Sequence, residues 1–460
     1  MILVILLMIS LIFGILYYIW VQRAKSFAHI NKAPYLPIVG SIFYAKTDPH
    51  ELYKQLIEIS TKANYLFVGW ILYTPLLFAG TVEYVEFVLS SREHLTKSFF
   101  YKFLNSWLGT GLLTSDGEKW RKRRKLITPS FHFSILNQFE LIILKKVSIL
   151  VSKLNTLAEQ GDVFDVQVPI GLSTLDVICE TAMGVDINAQ SETQSKYVSA
   201  VNVAISELQI RQKLPWLHPD LIYPFTSNGK RYLKNLNVLQ DFTTKVINDK
   251  IKSRQDNPKD LDRVKQIFLD ILLDQYEKGE IDIEGIREEV DTFMFEGHDT
   301  TASGLSWTLY RLGRNIEVQK KLQEEIDENE ATGDLNKIKS LKYLECVIKE
   351  GLRLHPPVTF YARDLQKDAM IQGKVIPKGT MVIVDTFSLH SNPEYWDDPL
   401  VFKPERFLND AFSKRNPYCY VPFSAGPRNC VGQRFAMLES KITIYNILRD
   451  FNIRKKKRCQ

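Results

Sequence analysis

No pair of cysteines has Cys-x-x-Cys spacing, no internal repeat or Gly/Ser-rich linker interrupts the chain, and neither sign of charge dominates. The five cysteines, Cys179, Cys346, Cys419, Cys430 and Cys459, lie far apart and are odd in number. This excludes a disulfide framework and a zinc ribbon, and it fits a reducing compartment. Lys and Arg total 59 against 53 Asp and Glu, a net +6 with the signs interspersed, so no nucleic-acid partner is expected. With 45% hydrophobic residues, the chain is neither disordered nor collagenous. At ~150 residues per domain the length allows two or three domains. Without a linker to divide it, one large body is expected.

What is present begins with an apolar run. Met1–Val21 carries no charged side chain, and Tyr17, Tyr18 and Trp20 near its end precede Arg23 and Lys25. About 20 helical residues cross the ~30 Å hydrocarbon core of a bilayer. No basic segment precedes the run and no small-residue cleavage site follows it, so residues 1–21 are read as an uncleaved membrane anchor. The positive charge after it places the following body on the cytoplasmic side. Residues 22–40 are read as a hinge stiffened by Pro34 and Pro37, and 41–460 as one large domain. Thr47 is expected to open a helix through about Ile59. Long periodic stretches predict helices over about 134–159, 171–184, 190–213, 228–254, 283–314 and 433–449, with short strands at 66–70, 76–78, 375–376 and 380–384. The expected class is mainly α with small β-sheets (α+β). Basic clusters stand at Lys119–Lys125 and Arg454–Arg458.

The most specific stretch is Phe423-Ser424-Ala425-Gly426-Pro427-Arg428-Asn429-Cys430-Val431-Gly432. Its glycines let backbone approach a large flat ligand, and amides in the turn can donate to the sulfur and favour a thiolate. Arg428 can meet an anionic group of that ligand. The spacing Phe-x-x-Gly-x-Arg-x-Cys-x-Gly resembles the haem-binding loop of the cytochrome P450 superfamily. That resemblance implies a cytochrome P450 fold, haem b (protoporphyrin IX iron) as cofactor and Cys430 as the axial iron ligand.

Other stretches carry the same resemblance in the expected order. Glu350-Gly351-Leu352-Arg353 resembles the family's Glu-x-x-Arg, and Pro404-Glu405-Arg406-Phe407 the element whose Arg joins that pair. The implied triad Glu350, Arg353 and Arg406 is a structural lock behind the haem. Gly351 between them is an oddity inside a helix, costing up to about 1 kcal/mol. Trp120-Arg121-Lys122-Arg123-Arg124 resembles the family's Trp-x-x-x-Arg, with Ser115-x-x-Glu118 expected as a capping box before it. Trp120 and Arg124 are thereby implied at a haem propionate, with Arg363 a further candidate. Arg121, Lys122, Arg123 and Lys125 are read either as solvated surface or as a docking site for an acidic electron donor.

Asp and Thr are poor residues for the middle of a helix. Gly297, Asp299 and Thr300 within 283–314 therefore suggest a locally opened helix, in which an acid beside an alcohol relays protons to a small ligand. The run Glu288 to Thr301 resembles the signature of family 4 of the superfamily, where other branches have Ala in place of Glu296. The resemblance implies Asp299 and Thr300 as catalytic groups and makes Glu296 a candidate for an ester link to a haem methyl group. His298 is expected to be packed or hydrogen-bonded. Segments 103–114, 128–133 and 179–184 resemble family 4 as well, and the resemblance spans about residues 31 to 451.

The implied activity is a haem-thiolate monooxygenase that inserts one oxygen atom of O2 into a fatty acid or other long-chain lipid, often at or near the ω-carbon, or into a xenobiotic. Electrons would come from NADPH through NADPH–cytochrome P450 reductase, with cytochrome b5 as a second donor, at the endoplasmic reticulum membrane. One departure stands out. Phe451-Asn452-Ile453 is expected to begin a strand, but the basic run after it cannot supply the apolar C-terminal hairpin of the family. The alternative is therefore a haem- or ligand-binding form with little turnover. A peroxide-using or isomerising enzyme is disfavoured by Asp299-Thr300.

Overall fold

A computed structural model describes residues 2–46, 48–161, 163–191, 195–256, 267–329, 335–408, 412 and 414–454. Thr47 and most of the basic run at 454–458 therefore lie outside the described residues. Among the described residues the fold is mostly helical with two small sheets, as its class led one to expect. The larger sheet has strand order β1-β2-β3-β7-β4, from Asn31–Lys32 (β1), Leu66–Ile71 (β2), Thr74–Ala79 (β3), Met381–Asp385 (β7) and Phe360–Asp364 (β4). β2 and β3 form an antiparallel hairpin, and β3 pairs in parallel with β7. Ala369–Ile371 (β5) and Lys374–Ile376 (β6) make a separate hairpin.

The anchor run is part of a single helix, Ile2–Lys25, long and apolar enough to cross a membrane. Its last turns are not free. Trp20 packs 5.2 Å from Tyr35 and 5.7 Å from Trp70, and Phe27 meets Trp70 edge-on at 5.6 Å. Aromatic pairs of this kind add about 0.5–1.5 kcal/mol each beyond area burial. Arg23 donates to the carbonyls of Lys378 and Gly379. Residues 22–40 thus carry the end of a helix, strand β1 and a turn closed by Leu36 and Gly40.

The first α-helix described in the body is Pro49–Lys62, and it is capped by Asp48, whose carboxylate accepts from the Glu51 amide at 2.9 Å. Proline at the first helical position loses no bond there. The expected 171–184 helix starts earlier, at Gln167, and ends in a π turn over Cys179–Met183.

The helical core is organised around Ile283–Leu312, ~45 Å long at 1.5 Å per residue. Asp282 caps it by accepting from the Gly285 amide at 2.8 Å. The helix crosses the Gln167–Ile178 helix closely because Gly297 presents no side chain there: a Cβ would lie 2.8 Å from Ile178. Gly351 has a like reason. It lets the Lys342–Leu354 helix press onto Thr308 of the central helix, so the residue that read as an oddity is a packing requirement.

Residues 451–454 form no strand. Their backbone is instead held by side chains of the Ile316–Glu328 helix: the Ile453 amide donates to Gln319 at 2.7 Å, and Gln319 returns a bond to the Ile453 carbonyl at 3.0 Å.

Candidate functional site

The cysteine loop is built from short-range turns. The Cys430 amide donates to the Phe423 carbonyl at 2.9 Å, Ser424 donates to Val421 at 3.0 Å, and Asn429 donates to Gly426 at 3.1 Å. Gly426 is required twice over: its φ is +68°, and a Cβ would collide with the Leu89 carbonyl. The Gly432 amide acts on the Cys430 sulfur in the sense that favours the thiolate. Surrounding protein pushes the thiol up to about 12, first through burial and then through the charge of Glu296. Yet the residue's surface is open. Cys430 therefore borders an interior cleft.

The central helix supplies the opposite wall. Glu296, Asp299 and Thr300 are each partly exposed although they sit mid-helix. Thr300 donates its hydroxyl to the Glu296 carbonyl at 2.7 Å. Burial raises the carboxyl of Asp299, and it pushes Glu296 up to about 7 against the pull of Lys97 and Arg124. The expected local opening is absent: Ile283–Leu312 is one continuous α-helix. Thr292, Thr300, Ser306 and Thr308 each donate a hydroxyl to the carbonyl four residues earlier in the same helix. His298 is fully packed, with Nδ1 3.2 Å from the Met294 carbonyl and its ring 5.9 Å from Tyr197.

Cations gather at one end of the cleft. Arg428 lies 4.4 Å over the ring of Trp120 and donates to the Ser115 carbonyl at 2.7 Å and to Asp116. Its Nε and Nη1 are buried with no hydrogen-bond partner. Arg363 is 2% exposed and makes an isolated β-bridge to Lys97. The ammonium of Lys97 stands 4.3 Å over Tyr101, and burial with Arg363 and Arg428 alongside holds it well below its usual range. Lys97 and Tyr101 were missed in the sequence. No motif in the sequence marks either.

Arg124 stands close enough to Cys430 and Glu296 for their charges to act on it. Both of its terminal nitrogens go to Asn429, at 2.7 Å each, so it pins the residue before Cys430. Neither alternative for the remaining basic residues holds for Arg123, which faces inward 3.6 Å from Glu289; Lys119, at the start of the cluster, pairs with Glu288 at 2.7 Å. Those two acids also receive the Thr110 and Leu112 amides, which seats the 109–112 turn on the central helix. The expected capping box is not formed. Asp116 is the N-cap residue, without a side-chain cap bond, and the Ser115 hydroxyl has no partner.

The triad assembles. Arg353 makes two bonds to Glu350, at 2.7 and 2.8 Å, and Arg406 reaches the same carboxylate at 3.1 Å, all three buried. Among the described residues, no group of three or more His, Cys, Asp or Glu side chains could hold a metal ion.

The model of the cytochrome P450 family matches residues 31–460. The chain is 43% identical over 447 residues to cytochrome P450 4V2 of Mus musculus, covering 94% of this chain and 85% of that protein. It is 41% identical over 437 residues to cytochrome P450 4d2 of Drosophila melanogaster, with 91% and 87% covered. Against cytochrome P450 4c21 of Blattella germanica the identity is 39% over 452 residues, with 94% and 89% covered. These likenesses put the protein among the monooxygenases of the oxidoreductase class. It belongs to the cytochrome P450 family, in the family 4 branch, and that membership implies haem.

Proposed function

We propose that the protein is a membrane-anchored haem-thiolate monooxygenase whose Cys430 ligates the haem iron. The observation that carries this is the pairing of one open sulfur with a cation cluster whose guanidinium Nε and Nη1 on Arg428 lack partners. A haem presents two carboxylates to such a cluster, and Arg428, Arg363 and Lys97 would hold them. Trp120 supports Arg428 through its ring, and Phe423 and Asn429 keep the cysteine loop in register. When bound, haem with a thiolate ligand supplies the activation of dioxygen that inserts one oxygen atom into a C–H bond.

The chain's own residues do the rest. Burial makes Cys430 hold its proton as a free thiol; as an iron ligand it would be a thiolate, whose charge the Gly432 amide would favour. Asp299 holds a proton more readily than an exposed carboxyl, and Thr300 at its side offers a hydroxyl to pass it on. Glu296 borders the cleft and is the candidate for an ester link to the haem edge. The Glu350–Arg353–Arg406 lock supports the loop from behind.

The substrate is a fatty acid or other long-chain lipid oxidised at or near the ω-carbon, a reading supported by the family 4 branch. A hydrophobic xenobiotic is the second substrate class. Electrons come from NADPH through a reductase, with cytochrome b5 as a further donor, docking on the exposed basic residues Arg121, Lys122 and Lys125. The Ile2–Lys25 helix anchors the protein in the endoplasmic reticulum membrane, with the body on the cytoplasmic side.

The carbon monoxide difference spectrum of the reduced full-length protein tests the assignment. A strongly red-shifted Soret band in the wild type, lost in Cys430→Ala, is expected. The same spectrum from both proteins would sink it.

A further inference from the structure

His390 is the last residue of the Thr386–His390 helix, and its side chain is fully buried. Its ring lies between two parts of the chain that the haem-thiolate reading uses separately. Nδ1 is 3.2 Å from the carbonyl of Arg353, in the ion lock, and Nε2 is 2.9 Å from the amide nitrogen of Val421, where the cysteine loop begins. A carbonyl only accepts and an amide N–H only donates. The ring proton therefore sits on Nδ1 and the lone pair on Nε2.

Local sequence makes both contacts necessary. Arg353 lies in the last turn of Lys342–Leu354, where carbonyls lose their helical donors. The residues three and four positions on are Pro356 and Pro357, which have no N–H to offer. The carbonyl's donor must come from elsewhere in the fold. The link is also reciprocal, because the Arg353 guanidinium donates to the backbone carbonyl of His390 at 2.6 Å. Tyr420 stacks on the ring at 5.3 Å, and Trp396 meets it edge-on at 6.4 Å.

Beyond Val421 the loop is held residue by residue. The Val421 carbonyl accepts from Ser424 at 3.0 Å, the Pro422 carbonyl from the Tyr361 hydroxyl at 2.8 Å, and the Phe423 carbonyl from the Cys430 amide at 2.9 Å. His390 grips the first of these residues. We propose that His390 is a positioning residue for the cysteine ligand: its neutral ring, in one fixed tautomer, ties the Glu350–Arg353–Arg406 lock to Val421 and so sets where Cys430 stands. Burial and the Arg353 charge push the ring down to about 3, so it stays neutral across the range in which the enzyme would work.

The inference rests on Cys430 being the iron ligand, and the test keeps the two apart. His390→Gln can place its amide oxygen near the Nε2 position and keep the Val421 bond. His390→Asn reaches only the Arg353 carbonyl, and His390→Leu makes neither bond. In the haem-loaded full-length proteins, the share of carbon monoxide complex with the thiolate-type band should stay near wild type in the Gln variant. It should fall in the Asn and Leu variants, with the remainder moving to the band of a neutral proximal ligand. Amide exchange at Val421 should be slow in the wild type and at least about tenfold faster in the Leu variant.

Equal spectra in all four proteins would overturn the inference while leaving the iron ligand intact. A wild type without the thiolate band would instead overturn the ligand assignment. Should the Leu and Asn variants fail to fold, the wild-type protein still decides: fast exchange at Val421 refutes the link, and protection equal to that of the Arg353 helix supports it.

Discussion

Gly351 lies against Thr308 so closely that a Cβ on it would fall 3.1 Å from the Thr308 Cβ and overlap the hydroxyl. That hydroxyl is already committed to the Gly304 carbonyl at 2.8 Å. Gly351→Ala gains ~1 kcal/mol of helix propensity but overpacks a rigid contact, and overpacking costs about 1–3 kcal/mol. A net loss of up to about 2 kcal/mol in chemical denaturation is expected, recovered in large part by Thr308→Ala in the same chain. An unaltered midpoint for the single variant would show that the two helices separate without strain.

Glu289 predicts a pH dependence. Burial pushes its carboxyl from the ordinary 4.5 up to about 7, against the Leu112 N–H, which donates at 3.0 Å, and the charge of Arg123, 3.6 Å away. Glu288, Lys119 and Arg123 are the charged groups acting on it. A folded-state value above the unfolded one stabilises fully below the unfolded value, and that stability is lost as pH rises through the folded value. Stability should therefore decline from about pH 5 to pH 8. Glu289→Gln keeps an acceptor for Leu112 and removes the titration, so its decline should be shallower by on the order of 2 kcal/mol. Parallel pH profiles of thermal stability for the two proteins would contradict this.

The cation cluster should govern cofactor retention. Charge-assisted hydrogen bonds are worth about 1.5–3 kcal/mol each. Arg428→Met should release haem to apomyoglobin roughly 10- to 100-fold faster than wild type, and Lys97→Met should fall in between. The Soret position should not change in either, since the sulfur ligand is untouched. A wild-type release rate in both variants would remove the propionate role.

Glu296 gives a chemical test. Acid–organic extraction of the purified enzyme should leave part of the haem on the wild-type polypeptide and none on Glu296→Ala. Complete extraction from both would reduce Glu296 to an unlinked neighbour of the cleft.

Much of this site was legible because its parts are local. Phe423 to Gly432 is one turn sequence, and Glu350 with Arg353 share a helix face, so spacing alone exposes them. What could not be read depends on contacts across the fold. Lys97 reaches the cluster only because Thr96–Lys97 lies beside β4, and His390 bridges residues 37 before it and 31 after it. Sequence marked Lys119, Arg123 and Arg124 as basic, but which of them meets Glu288, Glu289 or Asn429 depends on a partner helix and loop far along the chain. The misplaced cap at Ser115 has a similar cause, since its carbonyl and the neighbouring Asp116 carboxylate serve Arg428.

The docking of Trp20 and Arg23 onto the sheet makes the N-terminal helix a lever arm rather than a tether. At ~1.5 Å per residue it extends about 36 Å, with its far end exposed and its near end locked to Trp70, Lys378 and Gly379. Any tilt imposed on that arm is handed to the sheet and to every helix packed on it. The attitude of the whole molecule toward whatever surface receives the arm is thus set at a fulcrum where Trp20, Arg23 and Phe27 meet the body.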